Sequence, residues 1–328
     1  MVSFFFKRLA LGLLTVFLVS IVVFGATQVL PGDPARAILG QSATPERIAA
    51  LHSQLNLDRP VVEQYISWAS NAVTGDFGKS VTSGTPVMEM IGSRLANSGF
   101  LVLVSALLGV SIAVLAGIWS AVFRDRAIDH LLTLVSLVLI ALPEFIVGIA
   151  LILLFATGLT LFPAVSFLPA GATAWSAPSA VVLPVIALVL GVIPYVALTT
   201  RGAMIEALES PYVEMARLKG LSERTVVWSH AARNVVAPTV QVVALQLLWL
   251  AGGVVAVEYV FQFPGIGVML VDAVQGRDAP VVQAISVILA GFYVLINILA
   301  DFATILATPR LRTKPGLSVV DRPTEVVA

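Results

Sequence analysis

No cysteine occurs in the 328 residues, which excludes disulfides and thiolate metal sites. Histidine is nearly as scarce. His52, His130 and His230 stand far apart, so the chain does not write a His cluster for a metal or for catalysis. Charged residues make up only 12%, well below the roughly 25% of a soluble domain. No complete phosphate-binding loop, no paired catalytic acids at a metal and no Ser/His/Asp arrangement can be read from the sequence, so the chain has no means of hydrolysing ATP by itself. What is abundant is apolar: 58% of residues are hydrophobic and the mean hydropathy is +0.98, the composition of a polytopic membrane protein.

The first apolar run, 9–30, follows Lys7 and Arg8. It is longer than the roughly 7–15 residues of a signal h-region and leaves through Gln28-Val29-Leu30-Pro31, so it reads as an uncleaved first span. Five further runs, near 98–123, 131–158, 178–205, 238–260 and 283–307, each reach the roughly 20 residues that cross about 30 Å of hydrocarbon. Six spans put both termini on one side. Thirteen of the nineteen Lys and Arg residues fall on that side, and only Arg277 sits in a short loop opposite, which predicts cytoplasmic termini.

Residues 31–97 form the longest stretch outside the predicted spans. Pro45 and Pro60 each suit the first position of a short helix, with Ile48, Leu51 and Leu55 on one face and Val62, Tyr65, Ile66 and Ala69 on another, which predicts a small folded cap. Gly78-Lys79-Ser80 matches the tail of a P-loop. Val73 occupies the place of its first glycine and no apolar strand precedes it, so a nucleotide site is not expected there.

Residues 210–238 are polar and helical between two apolar runs. Ser210 is placed as an N-cap, Pro211 as N1, Glu214 in the first turn, and Arg217 and Lys219 in the last. Gly220 stops that helix. Ser222 can cap a second, with Glu223 at its positive end and Leu221 placed against Val226. Periodicity alone allows an ordinary connecting loop equally well.

Glu214-Met215-Ala216 followed by Gly220 resembles the E-A-A-x-x-x-G core of the cytoplasmic loop in ATP-binding-cassette importer permeases, with Met in place of the middle Ala. The usual downstream I-x-L-P is absent; GLSERxVxxxHAxRNxxxP is instead similar to the dipeptide/oligopeptide-type permeases. LPGDP, LDRPVVEQY and GDFGKS in the first loop, VEYVFQFPGIG at residues 257–267, RDAPVVQ at 277–283, and Asp301 with Pro309-Arg310 resemble further motifs of that family, although Thr308 stands where it has Asp. The resemblance implies an all-α polytopic membrane protein of six transmembrane helices, with a small helical external cap and a cytoplasmic coupling-helix loop, in the bacterial inner membrane. The expected divisions are 1–30 for the N-terminus and first span, 31–97 for the cap, 98–312 for a five-span permease core with its coupling loop at 206–237, and 313–328 for a disordered tail.

The function implied is a permease subunit that forms half of a translocation path for peptides or similar small solutes. Its implied partners are a second homologous permease, two ATP-binding-cassette ATPases and an extracytoplasmic substrate-binding protein. No cofactor is expected in this chain, since ATP would bind the partner ATPases, and no nucleic acid is expected. The ATPase-coupling residues implied are Glu214, Ala216, Gly220, Leu221, Ser222, Glu223, Arg224 and His230. Residues 221–230 would dock on the ATPase, showing Val226, Val227 and Trp228 to it.

Three acids fall within or at the ends of spans, where an ionisable group costs several kcal/mol unless it faces protein or water: Glu144, Glu258 and Asp301. Each is a candidate for the translocation path. Interhelical polar contact is the simpler role for Glu258 and Asp301, while Glu144, after Pro143 at an expected kink, is better placed to line a cavity. An ion-coupled secondary transporter would need a mid-membrane ion site, for which Glu144 is the only candidate, and the sequence has no internal repeat. A membrane-embedded enzyme would need clustered histidines or acids, which are absent.

Overall fold

The computed structural model describes residues 2–29, 44–47, 49, 59–169 and 173–307. Among these residues there is no strand. In chain order the elements are α1 (Val2–Val29), α2 (Val61–Val73), α3 (Val87–Val122), α4 (Ala127–Ala141), α5 (Glu144–Leu151) with a π-helical extension (Ile152–Gly158), α6 (Pro178–Leu208), α7 (Pro211–Leu218), α8 (Glu223–Thr225) running through a π-helical turn (Val226–Ala231) into α9 (Ala232–Phe261), α10 (Ile266–Gln275) and α11 (Ala279–Ala307). Five of these helices are long and apolar enough to cross a membrane unaided.

The core is the packing of α3, α6 and α9. Leu101, Leu183, Leu188, Val192, Leu250, Val257 and Phe261 bury together there. Close approach of α3 to α6 depends on Gly117, where a Cβ would stand 2.5 Å from the carbonyl oxygen of Ala197. Small residues at such a crossing let the two backbones touch and gain dispersion contact in a setting where apolar burial gives little drive.

The third predicted span, 131–158, is not a straight helix. Its two halves, α4 and α5 with the π extension, are bent by 108°. Pro143 has no N–H to continue the ladder and holds Leu142 in an extended conformation, φ −101° and ψ 126°, so α4 stops there. The pair still reaches from one end of α6 to the other. Near its start, Asp129 meets Arg201 in the last third of α6, while beyond its far end the Ser166 hydroxyl donates to the carbonyl of Ala180 at the start of α6. Two arms of about 22 Å bent this far reach about 26 Å end to end, close to the hydrocarbon thickness of about 30 Å. With this pair counted once, the described residues hold six segments long and apolar enough to cross a membrane.

α1 lies antiparallel to α11. Arg8 pairs with Asp301 at 2.8 Å near one end, and Gln283 donates to Thr27 at 2.7 Å near the other. The described termini therefore share the end of the bundle that carries the Gly220 turn, called the hinge end below.

At the opposite, cap end, α2 packs on α1 through Tyr65 and Trp68, whose rings lie 5.4 and 5.6 Å from Phe24, while the Tyr65 hydroxyl bonds to Ser20 at 2.8 Å. The expected face is kept at Tyr65 and the half-buried Ala69 but not at its other two members. Val62 and Ile66 are exposed, and Pro60 sits one position outside the helix as its N-cap. The cause is the partner: α1 offers an aromatic ring and a hydroxyl, and Tyr65 meets both, its ring on Phe24 and its hydroxyl on Ser20, while Trp68 adds a ring contact. Ile48, Leu51, Leu55 and the tail at 313–328 lie outside the described residues.

Gly78-Lys79-Ser80 builds a protein contact. The Ser80 hydroxyl donates to the Asp278 carboxylate, which also accepts from the Val81 amide at 3.0 Å and the Thr82 hydroxyl at 2.9 Å. Two motifs noted separately in the sequence, GDFGKS and RDAP, are thus halves of one structure. Phe77, Val87, Ile91, Ile266, Met269 and Ile285 close over each other behind it.

Candidate functional site: the Gly220 turn and the acids of the spans

At the hinge end, α7 terminates in a Schellman motif. The Leu221 amide donates to Ala216 at 3.3 Å and the Gly220 amide to Arg217 at 2.9 Å, with Gly220 at φ +78°, a conformation that costs an L-residue a Cβ clash. Ser222 then caps α8 by accepting the Thr225 amide at 3.4 Å. An ion pair spans the turn, from Arg217 Nε to Glu223 Oε1 at 2.9 Å. The Asn234 amide donates to the Tyr212 hydroxyl at 2.8 Å, which ties α7 to α9.

Ser210 occupies the N-cap position without capping. Its hydroxyl turns back to the carbonyl of Ala207, satisfying the end of α6 rather than the start of α7. A larger correction concerns the face shown outward. Val226 and Val227 are buried with Val213, Ala216 and Ala231 against Ile118, Ala121, Met204 and Ala207, which fixes the loop to the ends of α3 and α6. The exposed apolar side chains around the turn include Met215, Leu218, Leu221 and Trp228, and Trp228 lies beside Arg224 in one shallow depression. Glu214, Ser222, Glu223 and Arg224 are exposed, Ala216 is buried, and His230 is half-buried with Nδ1 3.3 Å from the Thr225 carbonyl.

The three acids of the spans have different surroundings. Glu258 is fully buried and bonded on both oxygens: the Ser98 hydroxyl donates to Oε1 at 2.5 Å and the Gly267 amide to Oε2 at 2.7 Å. It anchors the first turn of α10, whose Gly265 would place a Cβ 2.0 Å from Oε1. Asp301 is held by Arg8. Neither faces open space as an unpaired acid. Glu144 does line a cleft, of about 210 Å³, opened by the break between α4 and α5 and bordered by Tyr195 and Trp249.

Sequence reasoning passed over one cluster. Asp129, 2% exposed, takes Arg201 on both oxygens, with Nε at 2.6 Å and Nη2 at 2.7 Å, and accepts further bonds from the Ser120 hydroxyl and the Asp125 amide. In the sequence Arg201 is one of the thirteen basic residues on the side of the termini. The usable signal was an acid and an arginine at the ends of two spans, each needing a partner.

Residues 113–313 match the family described as binding-protein-dependent transport system inner membrane component, and residues 1–99 match the N-terminal family of the same transport-system membrane components. The chain is 38% identical over 315 residues to the glutathione transport system permease protein GsiC of Escherichia coli (strain K12), covering 96% of this chain and 100% of that protein. It is 34% identical over 308 residues to the probable peptide ABC transporter permease protein y4tP of Sinorhizobium fredii, covering 93% and 98%. These matches favour a permease over an ion-coupled transporter. The chain belongs to the binding-protein-dependent transport system inner membrane components: it is a multi-pass permease subunit of an ABC importer.

Proposed function

We propose that this permease conducts peptides or similar small solutes, glutathione among them, and that the turn around Gly220 couples it to ATPase subunits. The names of its relatives support the solute class. The coupling rests on one observation: a loop anchored to the ends of α3 and α6 by a buried cluster shows an apolar face, Met215, Leu218, Leu221 and Trp228, bordered by Arg224. Apolar side chains held outside the hydrocarbon call for a protein partner. The hinge end and both termini are then cytoplasmic, where two ATPases bind ATP; a second permease completes the path and an extracytoplasmic binding protein delivers solute. This chain carries no cofactor in that reading. Glu144 faces the path, whereas Glu258 and Asp301 shape it.

The test is Arg224→Glu combined with Trp228→Ala. Glu223 is left alone because it pairs with Arg217 inside the loop. The variant should insert and pair with its partner permease, yet lose ATPase co-purification and uptake. Wild-type values of both would refute the coupling surface.

A further inference from the structure

Glu144 is an acid set among apolar spans with no basic side chain among the residues that line its cleft. An uncompensated carboxylate within a membrane-spanning segment costs several kcal/mol, so water or a cationic ligand must supply what the protein does not. Its surroundings favour the cation. Oε1 lies 3.1 Å from the point where a Cβ on Gly253 would stand, and two ring carbons of the Trp249 indole lie 3.7 Å from the same point. The indole packs close against Gly191, where a Cβ would approach its ring to 2.5 Å. The C-terminal end of α4, which stops at the break, borders the same cleft through Leu139, Ile140 and Ala141, with the Leu139 carbonyl accepting the Leu142 amide at 3.2 Å. A carboxylate, an indole and the negative end of a helix converge there, the recognition set for an ammonium group.

We propose that the Glu144 cleft is a station for the primary ammonium group of the transported solute. The proposal deepens the peptide reading and rests on it for the identity of the solute, though the chemistry of the site stands on its own. Carboxylate and ring would hold the free amino group while the rest of the molecule lies along the path toward Tyr195.

The absence of cysteine provides the test. Leu190→Cys, on the cleft wall, is introduced into the assembled importer and its reaction with a small maleimide is timed. n-Butylammonium should slow the labelling about threefold or more, and n-butanol, of the same size without charge, should not. The protection should vanish in Glu144→Gln. It should weaken in Gly253→Ala, which keeps the charge but fills the point between carboxylate and ring. No labelling of Leu190→Cys, equal protection by both probes, or protection that survives Glu144→Gln would each overturn the proposal. Uptake of trialanine by the same importer is measured in parallel: protection without trialanine uptake would keep the ammonium site and refute the peptide reading.

Discussion

Arg201 grips Asp129 with two guanidinium nitrogens, at 2.6 and 2.7 Å, joining the start of α4 to the end of α6 close to the Gly220 turn. Asp129 is 2% exposed, so its charge depends on this arginine and on Ser120. The pair connects the hinge end to the helix whose far end opens the Glu144 cleft.

Asp129→Asn should therefore lower stability by about 3 kcal/mol, the scale for removing one member of a buried pair. Glu209→Gln, which breaks the exposed pair with Arg124, should cost less than about 1 kcal/mol. Thermal unfolding of the purified importer separates them, and equal losses would show that the Asp129 pair is no more than a surface contact.

Gly220 has no neighbour within 4 Å of a Cβ, so substitution there is strained by backbone conformation alone. Gly220→Val should cost about 1–2 kcal/mol and depress uptake while insertion persists, whereas Gly220→Asn should be nearly silent, because Asn tolerates positive φ. Parallel uptake by the two variants would mean that the conformation of the turn does not matter for transport.

Gly265 and Gly252 give an opposite contrast, since space decides there. A Cβ on Gly265 would overlap Glu258, while one on Gly252 meets nothing within 4 Å. Gly265→Ala should destabilise by about 1–3 kcal/mol and Gly252→Ala by a fraction of that. Similar yields of folded permease from both would contradict the role of Glu258 as the anchor of α10.

Orientation can be read with single cysteines at Ser70 in α2 and Ser229 just after the Gly220 turn, both exposed. An impermeant thiol reagent should label Ser70→Cys in spheroplasts and Ser229→Cys only after permeabilisation, as the distribution of Lys and Arg predicts. The reverse pattern would invert the proposed topology.

Hydropathy is a sum over neighbours in the chain, so the sequence alone determined where the apolar segments lie. The turn at 210–238 was legible for a similar reason: a proline at N1, a Schellman glycine and a serine cap all fall between Pro211 and Ser222. Side-chain direction was not. Val226 and Val227 turned inward because Ile118 and Met204, far along the chain, offered them an apolar surface. The remaining features belong to tertiary structure: Asp129 finds Arg201 across 72 positions, Ser98 finds Glu258 across 160, and Ser80 finds Asp278 across 198. Proline at 143 announced a break, but its 108° bend and the cleft it opens came from how α4 and α5 pack against α6 and α9. A buried charge needs a partner wherever the fold can bring one, and no local pattern names which residue that will be.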